Sequence, residues 1–382
     1  MGYLDLFILG LIVFFTYVSI SLTLNLEFGL TGIPNFGKVL FVASGGMLGA
    51  SVMYRAALYI YGMHSNDIFE SSPIFSEKIQ LQLANDPLVA LELGIILIVV
   101  GALTAGALGY AASYPAIRLR EDYLGMLLLG CGVLFSSITA FYTPVVGGPE
   151  NVVIPNVLVA FGSNEQYVML VILAVFAAIV FLYSERVLRS PLGRTLKAVR
   201  DNEVASSALG KDNVNVRRKM LVIASMLSGV AGALWVIYWS QEGGLVGGDV
   251  GGTFPRLLYT YYPFTIVILG GIASNIGVII GAVTLTAVYV GTTVSLPSLV
   301  ETLQIPGVPA SLLDDFVNSL QYFIIGGLLL AVLLVRPEGL IKESPAFTMS
   351  KAKLRKIADR IVRKGPEPAA TPLIEGKQQD AR

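Results

Sequence analysis

The chain has 382 residues, of which 54% are hydrophobic and 14% charged, with a formal net charge of zero and a mean hydropathy of +0.72. A soluble domain carries about 25% charged residues, so this composition excludes a soluble enzyme and a disordered protein alike, and zero net charge supplies no overall field for nucleic acid. The single cysteine, Cys131, and the single histidine, His64, allow no internal disulfide and no His/Cys metal cluster.

The first five residues contain no Lys or Arg, so the start lacks the basic region of a signal peptide, and the charge-free run 6–26 is expected to be a retained membrane helix. A charge at mid-membrane costs about 2.5–3.5 kcal/mol, so charge-free runs delimit the remaining spans. They are 39–54, 93–117, 123–149, 166–184, 220–241, 257–300 and 316–335. The run 39–54 is interrupted by Arg55, expected near a helix end with its head group in the interface. The 44 residues of 257–300 are twice what one crossing needs, and Gly270-Gly-Ile-Ala-Ser-Asn-Ile-Gly277 breaks them. Two short crossings, 263–271 and 278–294, are expected around that break, which has to be buried in protein or line a cavity. The fold class is an all-α polytopic membrane protein with about eight or nine transmembrane helices, some broken at glycines.

Lys and Arg placement sets the orientation. Arg118 and Arg120 mark one inner loop, 185–219 holds nine basic and four acidic residues, and 336–382 holds eleven and six. The alternating segments 62–86, 142–165, 241–262 and 295–316 together hold two basic and eleven acidic residues, and are expected outside with the N-terminus. The chain divides into a membrane domain, 1–341, with the inner loop 185–219, and a basic tail, 342–382, expected to attract anionic lipid and to end disordered.

Thr31-Gly-Ile-Pro-Asn-Phe-Gly37 and the 270–277 stretch look like a partial repeat, each at an inner bend between two helices. Gly32 to Val39 also nearly matches a phosphate-cradling loop, but Val39 lacks the metal-holding hydroxyl, and a tight helix-to-helix bend is the better account. His64 is expected as a solvated side chain, Glu92 at the interface with Arg55 as a candidate partner, and Cys131 as a packing residue.

The most informative stretch is 190–210, from Ser190-Pro191, which can open a helix, to Gly210, which can end one. Leu192, Leu196, Val199 and Glu203 fall on or near one face at helical spacing, with Arg194, Lys197 and Arg200 around it. Two readings stand on the residues alone: a helix lying on the membrane surface, or one docked in a partner's groove. No HExxH, GxSxG or paired membrane carboxylates are present, and the charge-poor core argues against proton-coupled or voltage-gated transport.

Ser190, Pro191, Gly193, Arg194, Ala198, Arg200, Glu203, Ala205 and Gly210 resemble the cytoplasmic loop of permeases from ABC importers of the branched-chain amino acid type. Leu24-Asn25-Leu26 with Gly29 and Gly32 is similar to that family's first Gly-rich turn. Arg118-Leu-Arg-Glu-Asp-Tyr-Leu124, Leu269 to Gly277 and Arg336-Pro-Glu-Gly-Leu340 resemble further family stretches, while Glu121 and Lys38 depart from its pattern. The resemblance implies a permease subunit of the plasma or inner membrane, without catalytic, metal or cofactor residues, its C-terminus cytoplasmic. ATP would be bound by two partner ATPase subunits, and a second, homologous permease and an external solute-binding protein would complete the importer. It implies that Arg194, Ala198, Arg200, Glu203, Ala205 and Gly210 form the ATPase-coupling loop. The bends with Asn25, Gly29, Gly32, Gly37, Gly270, Gly271 and Gly277 are expected to let helices pack closely and shift near the pathway. A related permease for urea or short amides and a stand-alone channel or facilitator remain alternatives.

Overall fold

The computed structural model describes residues 3–64, 71–119, 121–148, 151–241, 243–247, 253–292 and 310–343. Helix α1, Tyr3–Leu24, continues through a π-helical segment, Asn25–Leu30, to give one apolar span of 27 residues. Four more helices long enough to cross a bilayer are α2 (Lys38–Ile60), α4 (Pro87–Arg118), α5 (Glu121–Phe141) and α7 (Glu165–Arg189). Short helices α3 (Ser72–Leu83) and α6 (Thr143–Val146) lie in the connections. After α7 come two short helices, α8 (Pro191–Asp201) and α9 (Glu203–Ala208), and then the long span α10 (Asn213–Gln241).

The 257–300 run is broken where the glycines sit. A π-helical turn, Leu257–Tyr261, leads into α11 (Tyr262–Gly270), and the chain turns by 120° into α12 (Asn275–Val290). The last helix is α13, Ala310–Val335. The described residues thus give six full-length spans, one bent pair and a shorter apolar stretch at Tyr322–Val335, against the eight or nine crossings expected. Two-residue strands β1 (Val152–Val153) and β2 (Leu245–Val246) pair antiparallel.

The centre of the bundle is α1, α2, α4 and α10, where Phe41, Met53, Tyr54, Leu97 and Val236 are fully buried. Glycines set the helix spacing there: a Cβ on Gly232 of α10 would stand 1.9 Å from the Val42 carbonyl oxygen of α2. Small residues at such crossings let backbones touch, which is how helices associate where lipid supplies no hydrophobic drive. By contrast α5, α7 and α12 present large apolar side chains outward, among them Met126, Phe141, Leu182 and Val283. His64 is exposed and Arg55, near the end of α2, donates to the Pro144 carbonyl.

Candidate functional site

The loop between α7 and α10 is built by local chemistry. Ser190 caps α8: its Oγ accepts from the Gly193 N–H at 3.2 Å while donating to the Val187 carbonyl at 2.7 Å. Pro191 fills the first helical turn, where its missing N–H costs nothing. Gly193 is required by space, since a Cβ there would stand 2.3 Å from the Val187 carbonyl oxygen. These three contacts explain why Ser-Pro-x-Gly opens the helix.

The stretch forms two helices and not the single one expected. Asn202 leaves the helix with φ −157° and ψ 101°, and its side chain accepts from the Ala205 N–H at 2.9 Å to start α9. Gly210, at φ +75°, closes α9 with Gly210 N–H to Ser207 O and Lys211 N–H to Ser206 O, a Schellman arrangement. Asn213 ties α9 to α10 by hydrogen bonds to the Glu203 carbonyl, Ser206 and Ser207. Asp212 accepts from the backbone and side chain of Asn215, which holds its carboxyl below the usual carboxylate range.

The break redistributes the predicted face. Leu196 is buried in one apolar cluster with Leu26, Leu30, Met220 and Ala273, and Val199 is buried as well. Leu192 is 42% exposed, and Glu203 faces outward to pair with Arg217 at 3.1 Å, so neither belongs to that face. Arg194, Ala198, Ala205 and Gly210 are exposed. Val204 and Leu209 are about as exposed as apolar residues become, at 80% and 79%.

Arg200 turns inward. Its Nη1 donates to the Gly29 carbonyl at 2.5 Å and its Nη2 to Glu343 Oε2 at 2.9 Å, tying α8 to the π-helical end of α1. The two glycine bends also meet directly. Asn25 accepts from the Ala273 N–H at 2.9 Å and donates to Asn275 at 3.1 Å, and Asn275 donates to Glu185 at 3.0 Å. A Cβ on Gly29 would stand 2.8 Å from the Ala273 nitrogen, and one on Gly270 2.1 Å from the Gly277 carbonyl oxygen. Asn25, Gly29, Gly270, Gly271 and Gly277 are therefore one packed junction. Gly32 (φ +73°) and Gly37 belong to the adjoining loop between α1 and α2.

That loop holds a pair of charges the sequence does not announce. Glu27 and Lys38 are both fully buried, with Lys38 Nζ 2.9 Å from Glu27 Oε2. Asn35 donates to the same oxygen at 2.9 Å. The expectation of a charge-poor core is corrected at this point: each residue ends a charge-free run and so reads as interfacial, yet the bend folds both inward. Lys38 is bound to a carboxylate and not presented to a phosphate. The Gly37-Lys38 departure is thereby a structural substitution. Arg120, the side chains of Arg118, Glu121 and Asp122, and the tail from residue 344 lie outside the described residues.

Residues 6–333 match the family described as the permease component of branched-chain amino acid transport systems. The chain is 31% identical over 360 residues to a probable branched-chain amino acid transport permease protein LivM of Methanocaldococcus jannaschii, covering 94% of this chain and 99% of that one. It is 26% and 25% identical to the high-affinity branched-chain amino acid permease proteins LivM of Salmonella typhimurium and Escherichia coli, over 63% of this chain and 55% and 56% of theirs. The loop signature that Ser190, Gly193 and Gly210 satisfy by geometry is thus carried by a chain that belongs to the branched-chain amino acid transport permease family.

Proposed function

We propose that this chain is the membrane subunit of an importer for branched-chain, hydrophobic amino acids, driven through α8 and α9 by a separate cytoplasmic ATPase. One observation carries the reading. In a capped, ordered loop, α8 is anchored on the junction of the two glycine bends, while α9 presents Val204 and Leu209 to solvent. An apolar helix surface held out from a membrane bundle suits docking in a partner's groove, and the buried face of the same loop would pass movement to the bends. Movement can be driven only by as much free energy as the docking differs between ATPase states. ATP would be bound by two partner subunits, with a second permease and an external binding protein completing the assembly. The excess of basic residues in 185–219 and 336–382 supports a cytoplasmic position for this surface and for the C-terminus.

The test is purification through a tag on this chain from the cells that express it, followed by leucine uptake in liposomes with and without ATP. Co-purification of an ATP-hydrolysing subunit and ATP-dependent leucine uptake are expected. Passive leucine flux through the chain alone would overturn the proposal in favour of a facilitator. ATP-dependent uptake of urea with no uptake of leucine would overturn the substrate assignment alone.

A further inference from the structure

We propose that the segment 336–343 is a coupling strap, and that Glu343 is the positioning residue that fastens it to α8. The proposal rests on the reading that α8 and α9 receive the movement of an ATPase. It extends that reading to the route by which the movement reaches the second bend.

The strap is held at two ends. At one end it runs beside the break between α11 and α12: Leu340 N–H donates to the Leu269 carbonyl and Ile341 N–H to the Gly270 carbonyl, each at 2.9 Å. Backbones touch there. A Cβ on Gly271 would stand 2.1 Å from the Ile341 carbonyl oxygen, and one on Gly339, at φ +82°, 2.5 Å from the Gly271 Cα. At the other end Glu343 grips α8 with both carboxylate oxygens: Oε1 is 2.7 Å from Lys197 Nζ and Oε2 2.9 Å from Arg200 Nη2. Lys197 and Arg200 are three residues apart and share one helix face. The side chains are 12% and 20% exposed, so the pairing is less screened than a surface ion pair.

This geometry gives α8 two mechanical links. Arg200 reaches the first bend directly through the Gly29 carbonyl, and the same guanidinium reaches the second bend through Glu343 and the strap. A push on α8 is transmitted because the strap cannot be compressed against Gly271, and a pull is transmitted by the carboxylate and the two backbone hydrogen bonds. Both bends then shift together.

The test uses the full transporter purified through a tag on this chain, with leucine as the probe. Glu343→Ala is expected to lower leucine uptake at least tenfold, while the ATPase subunit still co-purifies and the complex still hydrolyses ATP. In a second arm Lys197→Cys and Glu343→Cys, made in a Cys131→Ser background, are joined by a short bis-methanethiosulfonate. Before cross-linking this chain is expected to import as poorly as Glu343→Ala, and the cross-link is expected to restore uptake to within twofold of the wild type, because it replaces the ion pair by which strap and α8 travel as one body. Wild-type uptake by Glu343→Ala overturns the strap, as does failure of the cross-link to restore uptake. Loss of the ATPase subunit from Glu343→Ala also overturns it, making Glu343 a docking residue. Absence of an ATPase from the wild-type complex would instead overturn the reading beneath it.

Discussion

Lys38 Nζ lies 2.9 Å from Glu27 Oε2, and neither side chain has any solvent exposure. The pair closes the turn between the first two spans. Glu27 stands in the π-helical segment, Lys38 opens α2, and the Glu27 carbonyl accepts from Ile33 N–H at 3.1 Å within the same turn. The next residue, Val39, donates its N–H to Thr260 at 3.0 Å, which fixes the start of α2 to the approach of α11. The turn is therefore tied down at both ends.

Removing one member of a buried ion pair leaves an uncompensated charge, at a cost of about 3–5 kcal/mol. Lys38→Met is expected to destabilise the protein by that amount. Glu27→Leu combined with Lys38→Met is expected to recover most of it, since a well-packed apolar pair is often as stable as the ions it replaces. Thermal unfolding in detergent measures both. A Lys38→Met variant that melts with the wild type would show that the pair holds nothing together.

Asn25 fastens the junction, donating to Asn275 and accepting from the Ala273 N–H, all three buried. Asn25→Ala leaves that N–H without its partner, a loss of about 1–3 kcal/mol. Asn275→Ala keeps the Ala273 contact and, although it also removes the bond to Glu185, is expected to cost less, because that carboxylate is partly exposed and still pairs with Arg189. The two substitutions share one hydrogen bond, so their combined effect falls short of the sum by at least about 0.5 kcal/mol. A double-mutant cycle on unfolding in detergent checks this, and strict additivity would separate the bends.

The loop was legible because its chemistry is local. Ser190, Pro191, Gly193 and Gly210 each satisfy a neighbour within a few residues, so their spacing in the chain is their geometry in space. The break at Asn202 was equally local, an N-cap residue followed by Glu203 in a first helical turn, and helical periodicity masked it. The break in 257–300 was visible as a run too long to cross once. Glu27 with Lys38, Asn25 with Asn275 and Glu343 with Lys197 were not legible. The first two residues sit at the ends of apolar runs where charge is ordinary, and the other pairs join residues far apart in the chain. Only the folded backbone brings them together.

Gly193 and Gly210 serve different needs, and alanine separates them. At Gly193 the added Cβ meets backbone 2.3 Å away, so the start of α8 has to move, and overpacking of this kind costs about 1–3 kcal/mol. At Gly210 nothing lies within 4 Å of the added Cβ, and the penalty is the left-handed φ alone, about 1–2 kcal/mol. Hydrogen exchange is expected to rise across α8 in Gly193→Ala and only near 206–211 in Gly210→Ala. Leucine uptake should fall more in the first, because α8 carries the contacts to both bends.

Val204 and Leu209 give the sharpest test of which surface the ATPase meets. Both are nearly fully exposed, so Val204→Asp and Leu209→Asp should change unfolding by no more than about 0.5 kcal/mol. If these side chains fill a groove on the ATPase, a carboxylate placed there has to be desolvated without a partner, and binding weakens by at least tenfold, about 1.4 kcal/mol. Arg194→Ala, on the exposed side of α8, serves as the companion substitution and is expected to weaken binding less, since an exposed charge pair contributes about 0–1 kcal/mol. Retention of the ATPase on the tagged chain, titrated with salt, reads all three. The apolar variants should lose the subunit at every ionic strength, whereas Arg194→Ala should differ from the wild type only at low salt, where charges are least screened. Full retention by both aspartate variants would move the docking face off α9.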